Sequence, residues 1–349
     1  MGRHALAAGD WQDGASPEWT RVLAAARQEG RVTVAGFPAL AKPMAEAFQK
    51  DTGIQLEFFS GGSYEQSSRF EAEARAKNVT MDILIGGGRE LGAVKSEGLL
   101  EPVKPQLILP GVDGKHYRDG VQKWMDDDKQ YLLQGAQWVF GWLLVNRNVI
   151  NPDEIKTWKD ALNPKFRGKI ISHDVRSPGP GQGASNFLHN VFGIEYIKAF
   201  FLGQDVKFTA NTRQVVEEVV RGTKPIAFGS IQYDIESFRK AGINHLAVVL
   251  PEDVPGYVTG GFSVLKQAKG VPHPNAAKVF INWYVSKPGQ EVYQSVMLET
   301  SRRLDVDKSK LPAYLVPREG VKYFEDYNES LYRNRNKVIQ LISDALGSR

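Results

Sequence analysis

Apolar residues follow two different spacings in the first hundred residues. Short apolar runs at 31–35, 54–59 and 81–85 are typical of strands, and each is followed by a glycine-containing turn. Between and around these runs, apolar positions recur every three to four residues, as at 17–29, which predicts helices. A strand, a glycine turn and a helix therefore repeat three times, the last helix lying around 90–97. This order predicts an α/β region with a mainly parallel sheet.

A second α/β region is predicted between residues 148 and 255. Its short apolar runs predict strands at 168–172, 206–208, 226–228 and 246–249. The helical spacing between them predicts helices at 183–192, 212–221 and 232–241. Two longer strand-like runs, 137–146 and 257–265, bound this region, and paired glycines at 260 and 261 suit a bulge in the second run. Further helices are predicted at 318–328 and 330–346.

Length and composition exclude several classes of protein. A chain of 349 residues is long enough for two domains, and 42% hydrophobic with 24% charged residues is typical of globular proteins. No apolar run approaches the roughly 20 residues of a membrane span. The lack of cysteine excludes disulfides, thiolate catalysis and cysteine-bound zinc. A net charge of +4 mildly favours anionic partners, but the basic residues are spread out, so nucleic-acid binding is not predicted.

The segment 251–294 carries the most specific motif. After the strand-like run, a loop rich in glycine and proline leads into an amphipathic helix that Asn275 is predicted to cap. Ser-Lys-Pro-Gly-Gln at 286–290 then ends this helix and starts another. The motif resembles the C-terminal signature of bacterial extracellular solute-binding proteins of ABC importers, in the subgroup named after ferric-iron-binding proteins. The stretches 98–102 and 211–230 resemble the same family.

This resemblance implies a type II periplasmic-binding-protein fold with two α/β lobes and two crossing strands at the hinge. It divides the chain into a disordered lead-in (1–16), the first part of the first lobe (17–136), a crossing strand (137–147) and a second lobe (148–255). The remainder (256–349) is a return crossing strand followed by C-terminal helices on the first lobe. It also implies a periplasmic protein that captures a solute in the interlobe cleft and delivers it to membrane permease subunits. The N-terminal residues lack the apolar centre of a signal peptide, so we expect the signal to have been removed.

Ligands of parallel sheets bind beyond the carboxyl ends of the strands, where three glycine turns of the first lobe are expected to meet. Glycine lets backbone amides approach a ligand, and Arg89 suits a bidentate clamp on an acidic group. The candidate contacts in these turns are Phe37, Gly61, Gly62, Ser63, Tyr64, Gly88 and Arg89. The alternative interpretation is that each glycine only makes a tight turn.

In the second lobe, the glycine-rich turn 177–185 precedes a predicted helix. Its amides and a serine hydroxyl suit a carboxylate, phosphate or phosphonate, although a flexible loop before a helix has the same pattern. The candidate contacts are Gly183, Ala184 and Ser185, joined by Ser230 and Tyr233 after a strand and by Trp138 and Tyr257 on the crossing strands. For the aromatic residues, ordinary core packing is the alternative.

These residues predict a small organic anion as the ligand, because Arg89 and two helix N-termini are positive and the loops contain no acidic residue. Iron, a polyamine or thiamine are the alternatives within the family, and a transferase-type enzyme is the alternative on the same scaffold. Ferric binding in the family uses two adjacent tyrosines with a histidine and a glutamate from the first lobe. Here Gln232 precedes Tyr233, and Pro38 follows Phe37 where the histidine is expected. No cofactor, metal-ligand or catalytic motif is found, so neither a metalloenzyme nor a hydrolase is predicted.

Overall fold

The structure, a computed structural model, describes residues 10–92, 94–117, 120–177, 179–325 and 328–347. Within these ranges, the side chains of Ser63 and Tyr64 are not described. The chain packs into two compact units. Unit 1 comprises Met1–Trp138, Gly260–Leu311 and Tyr327–Glu329, and unit 2 comprises Val139–Thr259, Pro312–Asp326 and Ser330–Arg349. Most of the chain beyond residue 311, which the sequence assigned to the first lobe, therefore belongs to unit 2.

The N-terminal lead-in is ordered where it is described. Residues 1–9 lie outside the described residues, but Asp10–Gln12 form a turn of 3-10 helix. Trp11 packs edge-on against Trp19, with ring centroids 5.7 Å apart. The expectation of disorder through residue 16 is therefore wrong from residue 10 onward, because this tryptophan pair anchors the segment.

Unit 1 is an α/β unit around one seven-stranded sheet. Its helices are α1 (Pro17–Glu29), α2 (Ala41–Thr52), α3 (Ser63–Ala76), α7 (Pro274–Val285) and α8 (Lys287–Met297). The strands of its sheet are β1 (Arg31–Gly36), β2 (Gln55–Ser60), β3 (Ile83–Gly86), β4 (Leu100–Glu101), β5 (Lys123–Trp124), β6 (Leu133–Gln134) and β14 (Val264–Ala268). The strand order is β2-β1-β3-β14-β6-β5, and β4 pairs with β14.

This sheet is mixed rather than mainly parallel. Strands β2, β1 and β3 are parallel, as the repeated strand, turn and helix predict. Strand β14 returns antiparallel to β3, β4 and β6, and β5 is antiparallel to β6. The predicted helix at 90–97 is reduced to one turn of 3-10 helix, Arg89–Leu91, because the chain there turns to reach β4.

Helix α7 is the most deeply buried helix of unit 1. Every residue from Ala276 to Val285 except Lys278 is buried, which explains its lack of a polar face. Its N-terminus is not capped by the Asn275 side chain, as the sequence suggested. The carboxylate of Glu29, at the end of α1, accepts hydrogen bonds from the amides of Asn275 (3.2 Å) and Ala276 (2.7 Å). Packing of α1 on α7 supplies the cap from elsewhere in the chain.

Unit 2 is a second α/β unit around a five-stranded sheet. Its helices are α4 (Pro180–Lys198), α5 (Thr212–Arg221), α6 (Gln232–Lys240) and most of α9 (Glu329–Leu346). Its sheet has the order β10-β9-β11-β8-β12, with strands β8 (Leu143–Asn146), β9 (Ile170–His173), β10 (Lys207–Thr209), β11 (Ile226–Phe228) and β12 (Leu246–Val249). Strands β10, β9 and β11 are parallel, and β8 runs antiparallel to β11 and β12.

Both long strand-like runs are broken by glycine. The first divides into β7 (Ala136–Phe140) and β8, because Gly141 has a φ of 87° and packs against the rings of Phe187 and Tyr257. The second divides into β13 (Tyr257–Thr259) and β14, with Gly260 and Gly261 between them. Each predicted crossing strand is therefore two strands joined by a bend.

The predicted helix at 318–328 is absent from the described part of that segment. Strand β16 (Phe324–Glu325) instead pairs in parallel with β13, with Tyr257 opposite Phe324. In unit 1, the short strand β15 (Thr300–Ser301) pairs antiparallel with β7. The pairing of β16 with β13 is why this part of the C-terminal region belongs to unit 2.

Strand β14 carries a lysine into the interior of unit 1. The Lys266 side chain is fully buried, and its ammonium lies 3.0 Å from the equally buried carboxylate of Glu90. The ammonium also donates a hydrogen bond to the carbonyl oxygen of Gly87. Burial lowers the pKa of Lys266, and Glu90 opposes that shift. The pair fixes the turn after β3 to the strand beside it.

We expect Lys266→Met to lower the free energy of unfolding by about 3–5 kcal/mol, because Glu90 is left buried and without its partner. Lys266→Met combined with Glu90→Leu should recover most of the loss, since neither ion then has to be desolvated. Urea denaturation followed by tryptophan fluorescence measures both changes.

The matched control is Lys42→Met. Lys42 and Glu46 form an exposed pair one turn apart on α2, at 3.8 Å, and its loss should cost less than about 0.5 kcal/mol. If Lys266→Met cost no more than Lys42→Met, the buried pair would not be a stabilising feature of unit 1.

Candidate functional site

The three glycine turns of unit 1 lie side by side at one edge of its sheet. Residue Gly36 pairs with Ser60 at the ends of β1 and β2, and Ala35 pairs with Leu84 of β3. The amide of Gly61 donates a hydrogen bond to the carbonyl oxygen of Gly36 at 3.4 Å. Parallel pairing therefore brings together the turns that the sequence placed together.

A small pocket opens among these turns. We call it the unit 1 pocket, and its lining residues come from the ends of β1 and β3, the first turn of α3 and the bend before β14: Gly36, Phe37, Gln66, Leu84, Ile85, Gly86 and Phe262. Of the predicted contacts, Phe37 lines this pocket, and it is half-buried. Gln66 and Phe262 were missed by the sequence analysis.

An aromatic stack forms one side of this pocket. The ring of Phe262 stacks on Phe37 at 5.5 Å and on Trp138 at 6.4 Å. Trp138 is only 4% exposed and lies behind the other two rings. Gly261 makes the stack possible, since a Cβ there would lie 1.8 Å from the Trp138 ring and its φ is 49°. Trp138 therefore supports the pocket wall from within the core.

The start of α3 is less open to an anion than the sequence suggested. A Cβ at Gly61 would lie 2.3 Å from the Gln66 amide nitrogen and 3.2 Å from a carboxylate oxygen of Glu65. Gly62 is exposed and precedes the helix, while the side chains of Ser63 and Tyr64 lie outside the described residues. Glu65, in the first turn, already places a negative charge at this helix N-terminus.

Arg89 is part of an ion pair on the same edge of the sheet. Its guanidinium lies 3.1 Å from the carboxylate of Glu71, a residue of α3, and donates a hydrogen bond to the Ser68 hydroxyl at 3.4 Å. Burial raises the pKa of Glu71, and Arg89 opposes that shift. The loops themselves contain no acidic residue, as the sequence indicated, but α3 brings the Glu71 carboxylate to Arg89.

Gly88 faces the protein interior rather than a ligand. It is buried, and a Cβ there would lie 2.0 Å from the sulfur of Met125. The glycine at this position accommodates the methionine side chain. The candidate role of Gly88 as a ligand contact is therefore replaced by a packing role.

In unit 2 three predicted contacts are consecutive residues at the end of the first turn of α4 and the start of its second turn. Gly183, Ala184 and Ser185 are all buried. The Ser185 hydroxyl donates a hydrogen bond to the carbonyl oxygen of Gln182 at 3.2 Å, so it serves the helix backbone. Among the described residues of its first turn, α4 has no acidic side chain, and no side chain caps it. The N-terminus of α4 therefore keeps its positive field.

Two side chains of unit 2 reach Gly183. A Cβ at this glycine would lie 2.7 Å from the Tyr257 hydroxyl and 3.2 Å from a guanidinium nitrogen of Arg335. Tyr257 is buried between Phe140 and Phe187, at centroid distances of 5.6 and 5.2 Å, with its hydroxyl end at α4. Arg335, on α9, was missed because 152 residues separate it from Gly183 and the sequence gives no sign that α9 packs there.

The remaining candidates of unit 2, Ser230 and Tyr233, differ in burial. Ser230 is fully buried, and its hydroxyl accepts a hydrogen bond from the Trp142 indole at 3.2 Å. Tyr233, at the start of α6, is 47% exposed.

The described residues contain no group of three or more His, Asp or Glu side chains that could hold a metal ion. In the same part of the chain, no helix is both long and apolar enough to cross a membrane.

Comparisons with known proteins agree on the family and the fold. Residues 43–297 match the model of the bacterial extracellular solute-binding protein family. An uncharacterized protein of Haemophilus influenzae is 25% identical over 284 residues, which cover 78% of this chain and 77% of the relative.

Two solved structures share the fold. Iron-bound HitA from Pseudomonas aeruginosa matches with a TM-score of 0.69 at 19% identity, over 90% of this chain and 99% of that one. AfuA from Actinobacillus pleuropneumoniae, with fructose-6-phosphate bound, matches with a TM-score of 0.66 at 18% identity, over 90% and 97%. These matches confirm the predicted type II periplasmic-binding-protein fold.

The family match spans most of the chain, and the structural matches span nearly all of it. The family consists of extracellular and periplasmic transport proteins, not enzymes, that bind small solutes and deliver them to membrane permeases. The chain belongs to the bacterial extracellular solute-binding protein family and is a solute-binding protein of an ABC importer.

Proposed function

We propose that the solute is a small organic anion whose carboxylate, phosphate or phosphonate group binds at the first turn of α4. The observation that carries this proposal is the Arg335 guanidinium beside Gly183, at a helix N-terminus whose described first turn has no acidic residue. A helix N-terminus contributes roughly half a positive charge, and the arginine adds a full one. Together with the Tyr257 hydroxyl they form a set of donors suited to oxyanions.

The turns of unit 1 have a different charge balance. Arg89 is offset by Glu71, and Glu65 offsets the N-terminus of α3. We therefore assign the acidic group of the solute to unit 2 and not to Arg89. The α3 carboxylates also favour a second candidate, a solute that bears an amine, as a polyamine does.

Two of the structural neighbours are described with different ligands, iron for HitA and fructose-6-phosphate for AfuA. The described residues of this chain offer no cluster of His, Asp or Glu, and Tyr233 is not preceded by a second tyrosine. Hard ferric ion requires several anionic oxygen ligands, so an oxyanion is the better fit to the residues present. Native mass spectrometry of protein purified without added ligand identifies the solute directly.

We expect Arg335→Ala to weaken binding of small carboxylates, phosphates or phosphonates by about ten- to hundredfold. Loss of a charge-assisted hydrogen bond costs about 1.5–3 kcal/mol, which corresponds to that range. Isothermal titration calorimetry against a panel of these anions and of polyamines measures the change. Lys337→Ala is the control, because it removes the same charge from an exposed position of α9. Tight binding of a polyamine while every anion fails would contradict the proposal.

Arg89→Ala should weaken anion binding by less than tenfold. Glu71 already neutralises the charge of Arg89 in unit 1. Arg89→Ala therefore breaks this ion pair but does not remove the main partner of the anion. The same titrations compare Arg89→Ala with Arg335→Ala. If Arg89→Ala were the more damaging of the two, the acidic group would belong to the turns of unit 1.

Ferric ion should not produce a tyrosinate-to-iron absorption band in the visible spectrum. A single exposed tyrosine, Tyr233, without a cluster of anionic side chains in the described residues gives too few ligands for tight binding. Absorption spectroscopy during addition of ferric citrate checks this. The idea fails if a strong band appears and is lost in Tyr233→Phe.

A further inference from the structure

A buried histidine packs against the turn that leads into α4. His173 is the last residue of β9, and its side chain is 2% exposed. The neighbouring strand β11 runs parallel to β9 and ends one residue before Gly229. Ligands of such sheets bind beyond the carboxyl ends of the parallel strands. The imidazole of His173 therefore lies inside unit 2, at the edge of the sheet from which α4 starts.

Three glycines make room for this histidine. A Cβ at Gly179 would lie 2.7 Å from the imidazole Cε1, and a Cβ at Gly181 would lie 2.4 Å from the His173 carbonyl oxygen and 3.0 Å from Nδ1. A Cβ at Gly229 would lie 3.3 Å from the His173 Cβ. Gly179 and Gly229 also have φ values of 148° and 69°, which favour glycine. The glycine-rich turn before α4 is thus shaped around an imidazole.

The hydrogen bonding of the imidazole fixes where a second proton goes. Its Nδ1 lies 3.2 Å from the carbonyl oxygen of Asp174. Because a carbonyl oxygen only accepts, Nδ1 carries the proton of the neutral ring, and Nε2 is the nitrogen that a second proton occupies. Nε2 lies 2.9 Å from the Cβ position of Gly179. Protonation therefore places the new charge at the glycine turn.

The surroundings of His173 oppose this charge through burial. Burial lowers the pKa of His173, whereas hydrogen bonds to the backbone of Asp174 and Ala210 and the Asp174 carboxylate raise it. That carboxylate is itself paired with Arg176 at 2.8 Å. The neighbours that β10, β11 and the turn contribute are uncharged: Thr209, Ala210, Gly179, Gly181 and Gly229. Among these described neighbours, an imidazolium has acceptors but no counter-ion of its own.

We infer that His173 is a further residue of the anion site in unit 2, and that its imidazole takes up a proton when an anion binds at the first turn of α4. The inference rests on the proposed function and deepens it, because it makes capture of the solute depend on protons. A bound anion supplies the counter-ion of the imidazolium, and the imidazolium adds positive charge to the helix N-terminus. By linkage, each event favours the other to the same extent. All the residues involved belong to unit 2.

The direction of the pH dependence follows from this linkage. In the free protein, burial holds the pKa of His173 below its ordinary value, so the imidazole is neutral at neutral pH. A bound anion raises this pKa, because it stabilises the charged form. Affinity for the anion is therefore constant at high pH and rises as the pH falls through the pKa of the bound protein. It levels off below the pKa of the free protein, after a gain of about three- to tenfold for charges several ångströms apart.

Sulfate and lactate are suitable probes, because both keep their charge over the range in which histidine titrates, about pH 5.5 to 8. Isothermal titration calorimetry in two buffers of different ionisation enthalpy gives the affinity and the number of protons taken up on binding. The wild type should take up a fraction of a proton at mildly acidic pH and none at about pH 8. Its affinity for either anion should rise between these conditions by the factor given above.

Two variants remove the titrating ring. His173→Asn keeps an amide that can donate to the Asp174 carbonyl oxygen, and His173→Gln keeps more of the volume. Both should bind the anions about as tightly as the wild type at high pH, but without proton uptake and without the gain in acid.

His189→Asn is the matched control. Burial also lowers the pKa of His189, but this residue lies on α4 about 9 Å further along the helix axis than Gly183. The control should keep the proton uptake of the wild type. An NMR titration of the wild-type imidazoles, assigned with asparagine variants of the other histidines, decides the question if neither His173 variant folds. The pKa of His173 should then be higher in sulfate than without it.

Each remaining result counts against the inference. If the wild type binds sulfate or lactate without taking up protons, His173 has no part in the anion site while the proposed function stands. Proton uptake that persists in both His173 variants, or that disappears in His189→Asn, belongs to another group and also overturns the inference. If neither anion binds to the wild type at any pH, the anion proposal fails first and the inference falls with it.

Discussion

Strand β14 is the element on which the organisation of unit 1 depends. It enters the sheet antiparallel to β3, β4 and β6, and it joins the parallel half to the rest of the sheet. It leads into α7, whose buried residues cover the sheet, and it carries Lys266 to the turn after β3. The residues just before it place Phe262 in the pocket wall. Pairing of a late strand with an early one thus fixes both the core and the ligand-facing turns.

The two units treat their helix N-termini differently. In unit 1, α3 has Glu65 in its first turn, and Glu71 one and a half turns later pairs with Arg89. In unit 2, the described first turn of α4 has no acidic residue, and Arg335 lies beside it. A helix N-terminus attracts negative charge. The N-terminus of α3 has a carboxylate from its own first turn, whereas the described first turn of α4 supplies none. Net charge counted along the sequence conceals this difference, since it averages over both units.

Sequence periodicity predicts the helices and strands of this fold better than it predicts where they break and how they are capped. Strand β11 and helices α1 and α5 lie where the apolar spacing places them, because local pattern and burial agree there. The bend at Gly261 agrees with the bulge that the paired glycines predict. The break at Gly141 was missed, since the apolar run continues through this glycine while the backbone bends to let aromatic rings pack. The cap on α7 was also misassigned because Glu29, which supplies it, is distant in sequence.

The residues of the candidate site were likewise predictable where local pattern places them and not where distant elements pack together. The glycine turns were predictable from their place after parallel strands, and the structure brings those of unit 1 together. Arg335, Glu71 and Phe262 were not predictable, because each reaches its place through packing of an element far along the chain or through the rotation of a helix face. Helical spacing could have placed Glu71 near Arg89 only if the packing of α3 on β3 had been known.

Hydrogen bonding separates the polar groups that hold the fold from those that face a ligand. The hydroxyls of Ser185 and Ser230 looked like ligand contacts in the sequence, yet both are buried and bonded within unit 2. Ser185 donates to the backbone of its own helix, and Ser230 accepts from the Trp142 indole. Because each hydroxyl already has a partner within the fold, neither gains a hydrogen bond that it lacks by contacting a solute. The two serines therefore belong to the structure of unit 2.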